Sequence, residues 1–298
     1  MASQSQQPKT VIITAGGKDF RYWKDLWVYR GLMTHMTRRD FTVRYKQTFI
    51  GVAWSLINPL FTMVMATLVF GVLAGIGEGI AIPYSICVYV GGLPWGLFAR
   101  CLSQGSNTFI TNAALMKKVY YPRLISPLSS MLSAIVDTLI SYAMLFVMIG
   151  LYALRGGSVY LPPLRMLWSL PLLLPIALLG TFVGLFLASF IIRWRDFAFA
   201  IPVILQLGQF FAPVSYTLDD LTSRLAGHGP LLQMLLPYVY RLNPMTGFIV
   251  TFKWLLLDDP AFTFEPLYLA VSFGWLAIFL VLGVWRFRKA ERSFVDLV

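Results

Sequence analysis

The sequence predicts an all-α integral membrane protein. Six transmembrane helices are expected, with N and C termini cytosolic, an amphipathic N-terminal interface helix, and short re-entrant or gate helices before the last span. Three observations carry this. Of 298 residues, 58% are hydrophobic and 12% charged, at a mean hydropathy of +0.71, whereas soluble domains carry about 25% charged residues. Six apolar stretches, 49–75, 84–104, 125–151, 166–192, 197–216 and 267–287, match the ~20 residues that cross a bilayer core. Finally, of the 24 Lys and Arg, only Arg155, Arg165, Arg224, Arg241 and Lys253 fall on the side opposite the termini, which places both ends in the cytosol. A net charge of +11 does not indicate nucleic-acid binding, because the cations sit in short clusters between apolar runs rather than on one soluble face.

Residues 1–19 are polar and lack the apolar core of a signal peptide, so they read as a flexible cytosolic lead-in. In 20–48, Tyr22, Trp23, Leu26, Tyr29, Met33 and Met36 form one stripe, which predicts a helix lying in the cytosolic interface plane. It ends in "RRDFTVRYK", where Arg38, Arg39, Arg44 and Lys46 mark the cytosolic end of the first span. By residue type these cations orient that span among anionic headgroups. Residues 49–298 form the six-helix domain. Its first span ends on Gly71 and Gly75, and its fourth carries Gly180, Gly184 and Ala188, spacings that let helices approach closely.

Two spans hold polar groups. Asp137 lies in the third, with Ser130, Ser133 and Ser141 on its face at helical spacing. An acid at mid-bilayer costs roughly 2.5–3.5 kcal/mol on insertion scales, so it must face protein or water. It is either bonded to the neighbouring hydroxyls or the site of a proton-coupled carrier. In the fifth span Gln206 and Gln209 precede Phe210, Phe211 and Tyr216. This set suits interhelical packing, or a sugar path in which rings stack and amides bond hydroxyls. Between spans five and six, Pro230, Pro237 and Pro244 interrupt an apolar region, and the clean piece 245–257 is too short to cross. Short helices dipping into the outer face are expected over 217–266.

Enzyme signals are sparse. His35 and His228 are predicted on opposite sides, and no HExxH or GxSxG motif occurs. Asp219–Asp220 and Asp258–Asp259 are loop acids that a membrane-embedded glycosyl- or acyltransferase would use to hold a metal. Cys87 and Cys101, fourteen residues apart on one expected helix, are separated by roughly 21 Å, too far for a disulfide. "AGGKD" at 15–19 has Ile12 where a phosphate loop needs Gly and Asp19 where it needs Ser or Thr, so the chain has no such loop for ATP.

Five stretches, "RRDFTVRYKQTFIGVAWSLINPL", "NAALMKKVYYPRLISPL", "RDFAFAIPVILQLGQFFAPVSY", "LNPMTGF" and "FRKAERSFVDLV", occur in an order that resembles the permease subunit of ABC transporters exporting lipid-linked polysaccharides such as O-antigen, capsule or teichoic acid. Ala212 departs from the serine found in many relatives. The resemblance implies a multi-pass protein of the bacterial cytoplasmic membrane that pairs with a second copy of itself and with two cytosolic ATPase subunits. ATP and Mg then belong to the partner, and this chain carries no cofactor, metal or catalytic residue. It further implies that Arg38, Arg39, Arg44 and Lys46 meet the pyrophosphate of a polyprenyl-linked glycan. Gln206, Gln209, Phe210, Phe211 and Tyr216 would line the sugar path. Residues 107–123 match the coupling loop, with Asn112, Lys117, Lys118, Tyr120 and Arg123 facing the ATPase, and 217–266 match outer gate helices.

Overall fold

The computed structural model describes residues 19–46, 51–76, 80, 82–118, 121–157, 161–225 and 229–296. Among them every regular element is helical. In order these are α1 (Asp19–Val28), α2 (Arg30–Lys46), α3 (Trp54–Ala66, continued by the π-helical stretch Thr67–Leu73), α4 (Tyr84–Ser106), α5 (Thr108–Thr111), α6 (Ala113–Lys118) and α7 (Ile125–Leu154). Then follow α8 (Pro163–Ile191), α9 (Phe197–Gly208, ending in the 3-10 turn Gln209–Phe211), α10 (Leu218–Leu225), α11 (Pro230–Leu242), α12 (Thr246–Leu256) and α13 (Pro266–Asp296). All but one residue of the expected lead-in, and His228 and Tyr120, lie outside the described residues.

Five helices are long and apolar enough to cross a membrane: Trp54–Leu73, Tyr84–Ser106, Ile125–Leu154, Pro163–Ile191 and Pro266–Glu291. The expected fifth span, 197–216, is shorter than the sequence suggested. Helix α9 has 12 residues and its 3-10 extension 3, together roughly 24 Å against a hydrocarbon core of about 30 Å. Pro213 sets the limit. It disfavours helical geometry at the residue before it, and Ala212 is extended at φ −107, ψ 144.

Buried fraction orders the bundle. In α4, 72% of the apolar window is buried, against 6% in α3 and 11% in α13, so α4 is the central helix and the other two are peripheral. Helices α4 and α8 meet through glycine. A Cβ on Gly184 would lie 2.5 Å from the Leu102 carbonyl oxygen and 2.9 Å from the Ser106 nitrogen, and one on Gly105 2.9 Å from the Thr181 carbonyl oxygen. The fourth-span glycines thus serve the close approach expected of them.

One end of the bundle gathers α2 and the last third of α13. Met36 of α2, Phe109, Tyr121 and Phe287 of α13 share a buried cluster, Phe109 stacks on Phe287 at 4.8 Å, and Arg123 donates to the Glu291 carbonyl at 2.8 Å. At the other end Tyr84 donates to the Ser215 carbonyl, and Arg165 meets Asp258 at 3.2 Å. We call these the basic end and the far end.

The N-terminal segment differs from expectation in its course. The stripe residues Leu26, Tyr29, Met33 and Met36 do pack inward, but Trp23 is exposed. The segment breaks into two helices, and the second half of α2 runs beside α7. Thr37 donates to the Ser129 carbonyl at 3.3 Å, and about two turns further on Arg44 and Tyr45 reach Asp137. The region 217–266 does form three short helices, and the third, α12, is buried over Thr246–Ile249, Thr251–Lys253 and Leu255–Leu256.

Gly184→Ala should destabilise the fold by roughly 1–3 kcal/mol, because its methyl group meets backbone that cannot give way. Gly92→Ala, where a Cβ meets nothing within 4 Å, should stay within ~0.5 kcal/mol. Thermal unfolding of both variants in detergent checks the contrast.

Candidate functional site

Asp137 is the most buried charge in the bundle, with 0% of its side chain exposed. None of the serine hydroxyls expected to satisfy it does so: Ser141 donates to the backbone carbonyls of Asp137 and Ser55, and Ser133 Oγ has no partner. Its carboxylate instead takes Arg44 of α2 on Oδ2, Arg100 of α4 on the same oxygen at 3.3 Å, and the Tyr45 hydroxyl on Oδ1 at 2.8 Å. Gln104 completes the group. In the amide orientation its partners select, it donates to the Ser130 carbonyl at 3.0 Å and accepts from Arg44 Nη2 at 3.1 Å. Burial, then the hydrogen bond to Asp137, raises the Tyr45 phenol above its ordinary value, which keeps it a donor. Two guanidiniums against one carboxylate leave one positive charge in surplus.

The other expected entrance residues do not join this group. Arg38 and Lys46 are exposed on α2, and Arg39 pairs with its neighbour Asp40 at 2.8 Å. In the 107–123 segment, Asn112 is buried where α5 gives way to α6, its Nδ2 donating to the Thr108 carbonyl at 3.3 Å. Lys117 and Lys118 end α6. Arg123 faces the C-terminal turns of α13 through Glu291, not solvent alone.

Toward the far end, Gln206, Phe210 and Phe211 are exposed along one side of α9 and its 3-10 turn, and Gln209 is half-buried. Phe210 also meets Phe70 of the π-helical stretch at 6.1 Å. Tyr216 is drawn away from them. Its hydroxyl donates to the Phe210 carbonyl at 3.0 Å and bonds the Tyr240 hydroxyl. Buried Lys253 holds this turn, donating to the Pro213 carbonyl at 2.7 Å and the Tyr216 carbonyl at 3.3 Å, and it lines a pocket with Tyr216, Asp219, Glu265 and Tyr268. Two of the loop acids have local structural partners: Asp220 accepts from Thr217 Oγ1 at 2.8 Å and Asp258 from Arg165.

Sequence reasoning missed Arg100, Tyr45, Gln104 and Lys253 as site residues. Arg100 falls inside the 84–104 stretch, close to its cytosolic end by the cation asymmetry. A cation and an acid within predicted spans should be tested as partners, and that signal was present. Nothing local in the sequence shows that Tyr45 and Gln104 converge with them.

Helices long enough to cross a bilayer, around a buried carboxylate clamped by arginines from two other helices, define a multi-pass membrane protein with a charged site inside its bundle. The chain belongs to the ABC-2 type transporter family, whose pattern matches residues 32–257, and it is a transporter permease subunit of the bacterial inner membrane. It is 23% identical over 269 residues to an O-antigen export system permease protein of Klebsiella pneumoniae, covering 90% of this chain and 95% of that protein. It is also 23% identical over 273 residues to one of Myxococcus xanthus, covering 91% and 97%.

Asp137→Ala removes the counter-ion of two guanidiniums. It should cost about 3–5 kcal/mol, as the removal of one partner from a buried pair does. Asp258→Asn breaks the exposed pair with Arg165, 42% and 46% exposed, and should cost under ~1 kcal/mol. Comparing unfolding midpoints of the two purified variants checks this.

Proposed function

We propose that this chain is the membrane-spanning half of an ATP-driven exporter that moves a polyprenyl-pyrophosphate-linked polysaccharide across the cytoplasmic membrane. The observation that carries the reading is its end-to-end similarity, over 90% of its length, to permeases of O-antigen export. The cationic end of the bundle supports it, since clustered guanidiniums bind phosphate oxygens strongly and bidentately. We place that end in the cytosol, with both termini there and α9 plus the Ala212–Thr217 turn completing a sixth crossing. Two copies would pair and engage two ATPase subunits through residues 107–123, and ATP with Mg would sit on those partners. Exposed Gln206, Phe210 and Phe211 would meet the passing sugar, while Tyr216 would shape that wall from within.

The rival readings lose their starting points. A carrier worked by Asp137 needs an acid open to water, and this one is sealed under two guanidiniums. A transferase using the outer acids needs them free, whereas Asp220 and Asp258 are engaged locally.

The purified chain alone should hydrolyse no ATP, and hydrolysis coupled to glycan export should appear only when a separate nucleotide-binding polypeptide co-purifies with it. ATP turnover by the chain alone would sink the reading. Within the complex, Lys117→Glu with Lys118→Glu should abolish export and weaken ATPase binding while membrane insertion stays normal. Pull-down and export assays on the double variant check it, and retention of both would remove the coupling role from this loop.

A further inference from the structure

We propose that Asp137 is a built-in stand-in for a phosphate group. In the resting protein it occupies Arg44 and Arg100, and it surrenders them to the phosphate oxygens of the transported lipid, which releases the end of α2 from α7. This rests on the lipid-pyrophosphate reading above. It adds Arg100 to the residues that bind the phosphate and makes Asp137 their internal competitor.

The donor set is the first ground. Arg44, Arg100 and the Tyr45 hydroxyl converge on one carboxylate. A carboxylate and a phosphate present the same chemistry to a guanidinium: planar or tetrahedral oxygens that accept charge-assisted bonds. Exposure is the second. Asp137 is sealed at 0%, while the side chains of Arg44 and Arg100 are 35% and 27% exposed. An anion arriving from outside the bundle therefore meets the donors and not the competing acceptor. Charge is the third. The group carries one surplus positive charge, which a single carboxylate leaves uncompensated and a pyrophosphate of higher charge would neutralise.

The arrangement also says what moves. Met36 and Thr37 anchor the first half of α2, through the buried cluster and the Ser129 carbonyl. The polar ties of its last turns run to Asp137 through Arg44 and Tyr45. When Arg44 turns to a phosphate, that end of α2 loses its strongest attachment to α7 while the rest of the helix stays docked.

The test uses the full-length chain in neutral phosphatidylcholine nanodiscs, with geranylgeranyl pyrophosphate as probe and geranylgeraniol as its uncharged counterpart. Wild type should bind the pyrophosphate at least about tenfold more tightly than the alcohol, and excess inorganic pyrophosphate should displace it. Arg100→Gln should weaken probe binding by about tenfold. Asp137→Asn keeps the shape but removes the competing charge, so it should tighten binding several-fold; a purely structural Asp137 would give weaker or unchanged binding. A second readout needs no change at Asp137. Spin labels at exposed Val43 of α2 and Leu139 of α7, in an otherwise wild-type chain, should move apart on adding the pyrophosphate and stay put with the alcohol.

If wild type does not distinguish pyrophosphate from alcohol, the lipid-pyrophosphate reading falls and the inference with it. Selective binding accompanied by a fixed label distance, or by no tightening in Asp137→Asn where that variant folds, overturns the exchange and leaves the reading standing. Discs containing phosphatidylglycerol that separate the labels without probe would assign the site to bulk lipid headgroups and overturn the proposal. Unchanged binding in Arg100→Gln would remove Arg100 from the ligand set.

Discussion

A carboxylate sealed inside a helical bundle has to be met by cations or strong donors, because burying an unpaired charge costs several kcal/mol. Asp137 imposes that demand on this chain. Its partners come from the end of α2 and from the central helix α4, so one side chain fixes how three helices converge. The N-terminal helix consequently stands against α7 for its last turns.

The second constraint is backbone proximity. Gly105, Gly180 and Gly184 let α4 and α8 touch main chain to main chain, which packs helices without relying on apolar burial, a weak force between surfaces already in lipid. Where helical geometry is lost, the freed carbonyls must still be satisfied within the bundle. Lys253 and Tyr84 do this for the turn after α9, donating to the carbonyls of Pro213, Tyr216 and Ser215. One buried lysine and one tyrosine thus sustain the irregular segment that follows α9.

These features divide the molecule into two ends. The basic end gathers α2, residues of the 107–123 segment and α13 around one cluster, so the segment and the helix that carries Arg44 are contiguous. The far end carries the short helices α10 and α11 and the aromatic side of α9.

The sequence by itself determined the class of the protein. Apolar run lengths, cation asymmetry and glycine spacing are local properties that bilayer thickness and helix geometry convert directly into spans and close contacts. Asp137 was legible as a residue needing a partner, and the Pro-interrupted region as short helices. What the tertiary structure alone decided was who meets whom. Arg44, Arg100 and Asp137 are successively 56 and 37 residues apart along the chain, and a pairing across three helices depends on their relative depth and rotation, which no local pattern records. The same reason explains the shortened α9 and the inward turn of Tyr216. Pro213 was visible, but the carbonyls it frees and the lysine that takes them up come together only when α12 folds back against α4.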